Sequence, residues 1–320
     1  MNRALVWRWI QFGTILVVGV AVGWTVWQGW RDLQQQDVAW DGLRWGWLLP
    51  ALGLSFLGTV PGWLFWHTLL HRFGLPISTR HSFRAFYLSQ LGKYVPGKVM
   101  VVAIRASIAA TVPRPASNGH LNSFQPWLIV SAAAVIETLM FIAVGSGVGF
   151  VCGASLLTEQ IWVLGLGAAF GCGILFMMLP PILRIWIVRL PLLKSRAERQ
   201  WLASRWTWDL FVGGSVSFVG GWLLLGGGLL SLTMLLPGQA TDLSELPRTT
   251  AGVTLSTVIG FLSFVPGGLG VREIVLFPIL RPKFPAVLLL ILLHRFVVLI
   301  AECLAATVAY AQRVDHPPSE

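Results

Sequence analysis

Hydrophobic residues fill long stretches of this chain, and polar residues gather in the gaps between them. Six stretches, 9–29, 46–70, 127–152, 161–183, 208–236 and 285–311, are long enough to cross a membrane as helices. At about 1.5 Å rise per residue, roughly 20 residues span a hydrocarbon core of about 30 Å. Two further apolar regions are broken in the middle: 82–111 by GKYVPGK at 92–98, and 249–281 by VPGGLG at 265–270. Their halves hold roughly 10 to 16 residues, too few to cross, so each region is expected to enter the membrane and return as a hairpin of two half-helices. The pattern predicts an all-α polytopic membrane protein of six full spans plus two re-entrant hairpins, forming a single membrane domain over 1–320.

The distribution of Lys and Arg orients this drawing. The segment 184–206 carries Arg184, Arg189, Lys194, Arg196, Arg199 and Arg205, whereas 153–160 carries no basic residue and 237–248 only Arg248. Basic loops stay in the cytoplasm, so 184–206 faces inward. The basic segments 71–84 and 105–125 share that side only if 82–111 is re-entrant. By the same logic 249–281 enters from outside and both termini are cytoplasmic, with Arg281 and Lys283 falling outside against the rule. The rival reading of the first stretch, a cleaved signal peptide ending near Ala21-Val22-Gly23, is disfavoured by its length and by Trp24, Trp27 and Trp30, which suit an interfacial belt.

Composition narrows the class. Of 320 residues, 55% are hydrophobic and only 11% charged, with 17 Trp, and the mean hydropathy is +0.73. No stretch remains for a large soluble domain. The formal charge of +10 lies in segments interleaved with Trp, which points to anionic lipid as partner and not to nucleic acid. Residues 184–206 read either as a positive-inside loop or as an interfacial helix broken at Pro191. Cys152, Cys172 and Cys303 lie in or beside apolar stretches without metal-ligand spacing and read as packing residues. No metal, cofactor or catalytic constellation is expected.

The two interruptions share a form, Tyr94-Val95-Pro96-Gly97 and Phe264-Val265-Pro266-Gly267, each followed by basic residues and a second half-helix. Entering from opposite faces, they fit an inverted repeat whose broken helices meet near the midplane and bind the substrate. Val60-Pro61-Gly62 repeats the tripeptide within an unbroken stretch, where a kink is expected. In the second hairpin Pro266 stops one half-helix, and Gly267, Gly268 and Gly270 permit the turn. The next half-helix then offers free amides, with Arg272 in its first turn, to a phosphate or carboxylate. Glu273 either joins this site or caps the helix. In the first hairpin Lys93 and Lys98 flank Pro96-Gly97, and Arg105 shares a face with Lys98. These lysines either meet a headgroup or snorkel to the cytoplasmic surface. GKYVPGKV nearly spells a nucleotide-binding P-loop but ends in Val99, without the Mg²⁺-binding hydroxyl. Glu137, Arg295 with its neighbour His294, and Glu302 lie deep in spans and should face the bundle interior. Arg295 and Glu302, seven apart on one face, read as a structural ion pair, with or without Glu137, or alternatively as substrate contacts.

QLGKYVPGK followed by Arg105, and FVPGGLGVRE later, resemble the motifs of the transmembrane region of lysylphosphatidylglycerol synthases, a flippase-like family that includes stand-alone membrane proteins. The resemblance implies roles for Lys93, Tyr94, Pro96, Gly97, Lys98 and Arg105 in the first motif, and for Pro266, Gly267, Gly268, Gly270, Arg272 and Glu273 in the second. In that family's bifunctional enzymes the membrane region moves an aminoacylated lipid between leaflets while a soluble domain makes it. Here the chain ends at Glu320, soon after the last span, so no synthase domain is expected. Related proteins are associated with aminoacyl lipids, polyprenyl-linked sugars and hopanoids. The expected function is a non-enzymatic flippase for an anionic lipid in the cell membrane. The alternative is a membrane subunit or enzyme of glycolipid or envelope-lipid synthesis that holds a lipid for a partner enzyme.

Overall fold

The computed structural model describes Trp27, Arg31 and residues 42–94, 99–109, 126–154, 161–189, 196–236, 242–263, 265–268, 270–281 and 286–312. The first expected span, 9–29, lies outside the described residues except for Trp27, as do Pro96, Gly97, Lys98, Pro191 and Lys283. Among the described residues every regular element is helical. In chain order these are α1 (Leu48–Leu57), α2 (Val60–Arg72), α3 (Thr79–Gln90), α4 (Val99–Ala109), α5 (Pro126–Gly153), α6 (Ile161–Met178), α7 (Pro180–Arg189), α8 (Arg196–Arg205), α9 (Trp208–Thr233), α10 (Leu246–Leu262), α11 (Val271–Leu280) and α12 (Val287–Ala311).

Among the described residues four helical stretches are long and apolar enough to cross a membrane: Trp45–Arg72, which contains α1 and α2, and then α5, α9 and α12. The first is interrupted at Gly58-Thr59, just before Pro61. Proline sits in the opening turn of α2, where its missing N–H costs no hydrogen bond. The expected span 161–183 is helical but bent: α6 stops at Met178, the chain from Ala169–Met178 to Pro180–Arg189 turns by 71°, and it counts as a fifth crossing only if the bent pair is one span. Pro180-Pro181 cannot donate to the preceding turn, and the residue before a proline is driven out of the α region, so the helix cannot run through. Beyond the bend, Arg184 Nε donates to Trp206 O at 2.9 Å and the buried Trp206 Nε1 donates to Met178 O at 2.8 Å. These bonds hold α7 and α8 as a packed corner. Large apolar side chains such as Leu49, Val151, Val216 and Val308 point outward, the arrangement of a bundle whose solvent is lipid.

Both interrupted regions fold as pairs of packed short helices. α3 packs on α4 and α10 on α11, each pair joined through a 3₁₀ turn, Leu91–Tyr94 in the first and Pro266–Gly268 in the second. Around them the same neighbour pattern occurs twice. α5 follows the first pair and packs against α10 of the second; α12 follows the second pair and packs against α3 of the first. Likewise α1 contacts α12, α9 contacts α5, and α1 and α9 contact one another. Exchanging the two units maps these contacts onto themselves, as a pseudo-twofold arrangement requires. The elements related by this exchange that carry the site are the two 3₁₀ turns, and these pack against each other.

Candidate functional site at the two broken segments

The second broken segment is built by glycine. Gly267, Gly268 and Gly270 adopt φ values of 60°, 67° and 77°, a left-handed region that a side chain enters only with strain. They reverse the chain after Ser263 and start α11 at Val271. Glycine has a second use here. A Cβ at Gly268 would stand 2.9 Å from Arg272 Nε, and one at Gly260 would stand 2.8 Å from Arg272 Cγ. The Arg272 side chain therefore lies in a slot between two glycines, one on α10 and one in the turn. Its neighbour Glu273 accepts a hydrogen bond from Arg295 Nη1 on α12, so the N-terminus of α11 is tied to the last span.

The first broken segment is held by backbone packing. A Cβ at Gly92 would lie 3.0 Å from Val101 N, so the turn runs directly against the backbone of α4. From this turn Lys93 Nζ donates to Glu302 Oε1 on α12. Arg105 lies apart from it, only 1% exposed. Its Nη1 donates to Glu137 Oε2 at 2.9 Å and its Nε to Ser89 Oγ at 3.0 Å. Its guanidinium also stands 4.4 Å from the Phe86 ring centre and 5.1 Å from that of Trp66. Arg105 is thus committed to joining α3, α4, α5 and α2. The side chain of Tyr94 and residues Pro96, Gly97 and Lys98 lie outside what is described.

The ion pair expected between Arg295 and Glu302 is corrected. Each turns to a different motif, Arg295 to Glu273 and Glu302 to Lys93, while Glu137 pairs with Arg105. Residues seven apart on a helix share a face but stand about 10 Å apart along the axis, whereas direct pairs form at three or four.

The two turns bring their charges together. Arg272 and Arg295 both lie within electrostatic reach of Lys93. A cavity of about 40 Å³ opens beside them, lined among others by Ser256, Gly267, Arg272, Glu273, His294 and Arg295. Among the described residues three cations, Lys93, Arg272 and Arg295, gather here with two carboxylates, Glu273 and Glu302. They lie next to the N-terminus of α11, whose dipole favours an anion. His294 Nε2 and Glu273 Oε2 are buried and have no hydrogen-bond partner among the described residues. His294 entered the sequence reading only as the neighbour of Arg295, and Ser256 not at all; with polar residues on neighbouring elements, only the fold shows which of them share a wall. Among the described residues no group of His, Cys, Asp and Glu could hold a metal ion.

No curated protein and no solved structure matches the chain. The model of the lysylphosphatidylglycerol synthase TM region matches residues 11–306, which include both broken segments and all the charges described above. The chain belongs to the lysylphosphatidylglycerol synthase TM region family.

Proposed function

We propose that this protein moves a phosphate-bearing anionic lipid between the leaflets of the cell membrane, without a chemical step of its own. The observation that carries this reading is the packing of the two broken segments against each other, which brings Lys93 within electrostatic reach of Arg272 and Arg295, the two arginines that line the cavity of the second segment. Arginines held beside a cavity in an apolar bundle offer charge-assisted contacts to an anionic headgroup. Arg272 and the amides of α11 receive the phosphate from one face; Lys93 and its turn serve the other. The repeated neighbour pattern supports alternating access, since two related hairpins can open in turn around one shared site.

In this reading the two hairpins are re-entrant from opposite faces and both termini are cytoplasmic. Cysteines introduced at Asn118 and Ser195 are then expected to react only with a reagent on the cytoplasmic side, and one at Asp242 only from outside. Labelling of 118 and 195 from opposite sides would mean that 82–111 crosses the membrane. The function itself is tested by reconstituting the protein into liposomes with fluorescent lipids of several headgroups and scoring leaflet exchange. Exchange of anionic lipids above protein-free liposomes supports the reading. No exchange of any phospholipid or polyprenyl phosphate would favour instead a protein that holds a lipid for a partner enzyme.

A further inference from the structure

Residues 180–206 carry six basic residues, Arg184, Arg189, Lys194, Arg196, Arg199 and Arg205, against one acid, Glu198. The proposed transport site uses none of them, and the cavity draws its walls from other elements. α6 packs along α5, a helix long enough to cross, so closely that a Cβ at Gly171 would stand 2.3 Å from Ser146 Cβ. α7 then departs from the direction of α6 by 71° and runs along the membrane surface more than through it.

The outward side of α7 is not that of a helix in water. Leu183 and Ile187 point into the core, whereas Ile185 and Trp186 are 52% and 50% exposed and Arg189 is exposed one turn further on. Positions 185, 186 and 189 share one side of a helix, so an apolar pair and a cation face the same way. α8 repeats the combination: Arg205 is exposed, and its guanidinium stands 5.0 Å from the ring centre of Trp201, one turn before it. The bonds of Arg184 to Trp206 and of Trp206 to Met178 fix both helices in a single corner. Water solvates the arginines but not Ile185, and hydrocarbon does the reverse. The boundary between headgroups and acyl chains serves both, and Trp is enriched there. Six cations against one acid suit a boundary that carries anionic headgroups.

We infer that the α7–α8 corner is a peripheral binding surface for anionic phospholipid, with Ile185 and Trp186 seated at the headgroup–acyl boundary and Arg189 and Arg205 against lipid phosphates. The surface is separate from the cavity and stands whether or not the protein moves lipid. It enriches anionic lipid in the shell of lipid around this corner. Of the two readings of 184–206, the positive-inside loop and the interfacial helix, the exposed Ile185-Trp186 pair favours the second.

The test is fluorescence quenching in liposomes of equal parts phosphatidylglycerol and phosphatidylcholine, to which a small fraction of one lipid or the other is added with a nitroxide on its acyl chain. Full-length protein with Cys152, Cys172 and Cys303 replaced by alanine takes an NBD label at Ile185→Cys, which leaves Trp186 in place. Both nitroxide lipids are expected to quench the label, the phosphatidylglycerol more strongly, as a local enrichment of about twofold to fivefold would produce. Arg189→Gln combined with Arg205→Gln is expected to lose most of that preference while quenching by both lipids persists. Arg189→Lys combined with Arg205→Lys is expected to keep it, since attraction to a charged surface needs the charge and not the planar fork. Absence of quenching by either lipid would give this face to water or to a protein partner and overturn the inference. Equal quenching by both lipids before the arginines are changed, or a preference that survives the glutamine pair, would overturn it as well.

Discussion

Replacing Gly268 by valine is expected to reduce lipid exchange in liposomes to the protein-free rate. Two independent effects act at this position. The backbone sits at φ 67°, where a β-branched residue costs about 1–3 kcal/mol. The new Cβ would also stand 2.9 Å from Arg272 Nε and 3.1 Å from its Cγ, so the guanidinium must leave its slot. Gly260→Ala separates the two. It presses on the same side chain, at 2.8 Å from Cγ, from an ordinary helical backbone, and a partial loss of exchange is expected. Wild-type exchange by Gly268→Val would show that neither the turn nor the slot is needed.

The largest effect on stability is expected at Glu137. Its removal leaves Arg105, 1% exposed, as a buried charge without its counter-ion. Breaking such a pair from one side costs about 3–5 kcal/mol, whereas replacing both partners by apolar residues of similar size is often nearly neutral. Glu137→Ala should therefore melt well below the wild type in detergent, and Arg105→Met combined with Glu137→Leu should recover most of the loss. If Glu137→Ala melted with the wild type, the guanidinium would have to be hydrated. The pair is structural in this account, so the double variant should also retain lipid exchange. That outcome would separate Arg105 from the headgroup contacts that family resemblance implies for it.

Much of the architecture was legible because membrane spans are written in one dimension. The stretches 46–70, 127–152, 208–236 and 285–311 correspond to helices long enough to cross, since their length and apolarity are local properties. The breaks at GKYVPGK and VPGGLG were legible for the same reason, glycine and proline acting on their own backbone. The bend at Leu179 was also written, in Pro180-Pro181, but hydropathy outweighed it: the apolar run continues across the prolines and hides the end of the helix. Charge partners were not legible. Lys93 meets Glu302 across 209 positions and Arg105 meets Glu137 across 32. Spacing along one helix suggested Arg295 with Glu302, although the partners lie on other elements. The slot for Arg272 was hidden too, since Gly260 reads as one more small residue in an apolar helix until α10 is folded back against the turn.

The most direct test of the account is the headgroup dependence of exchange in Arg272→Ala. If Arg272 holds the lipid phosphate through a charge-assisted contact worth about 1.5–3 kcal/mol, its loss should slow anionic lipids roughly tenfold to a hundredfold. Zwitterionic lipids should be slowed much less, and Arg272→Lys should recover only part of the rate, a point charge replacing a two-pronged donor. Initial rates for both lipid classes, measured in one liposome preparation per variant, give the ratio that matters. The account predicts a fall in the anionic-to-zwitterionic ratio with expression and folding intact. An unchanged ratio, with anionic lipid exchanged at the wild-type rate, would contradict it and remove the second broken segment as the phosphate site.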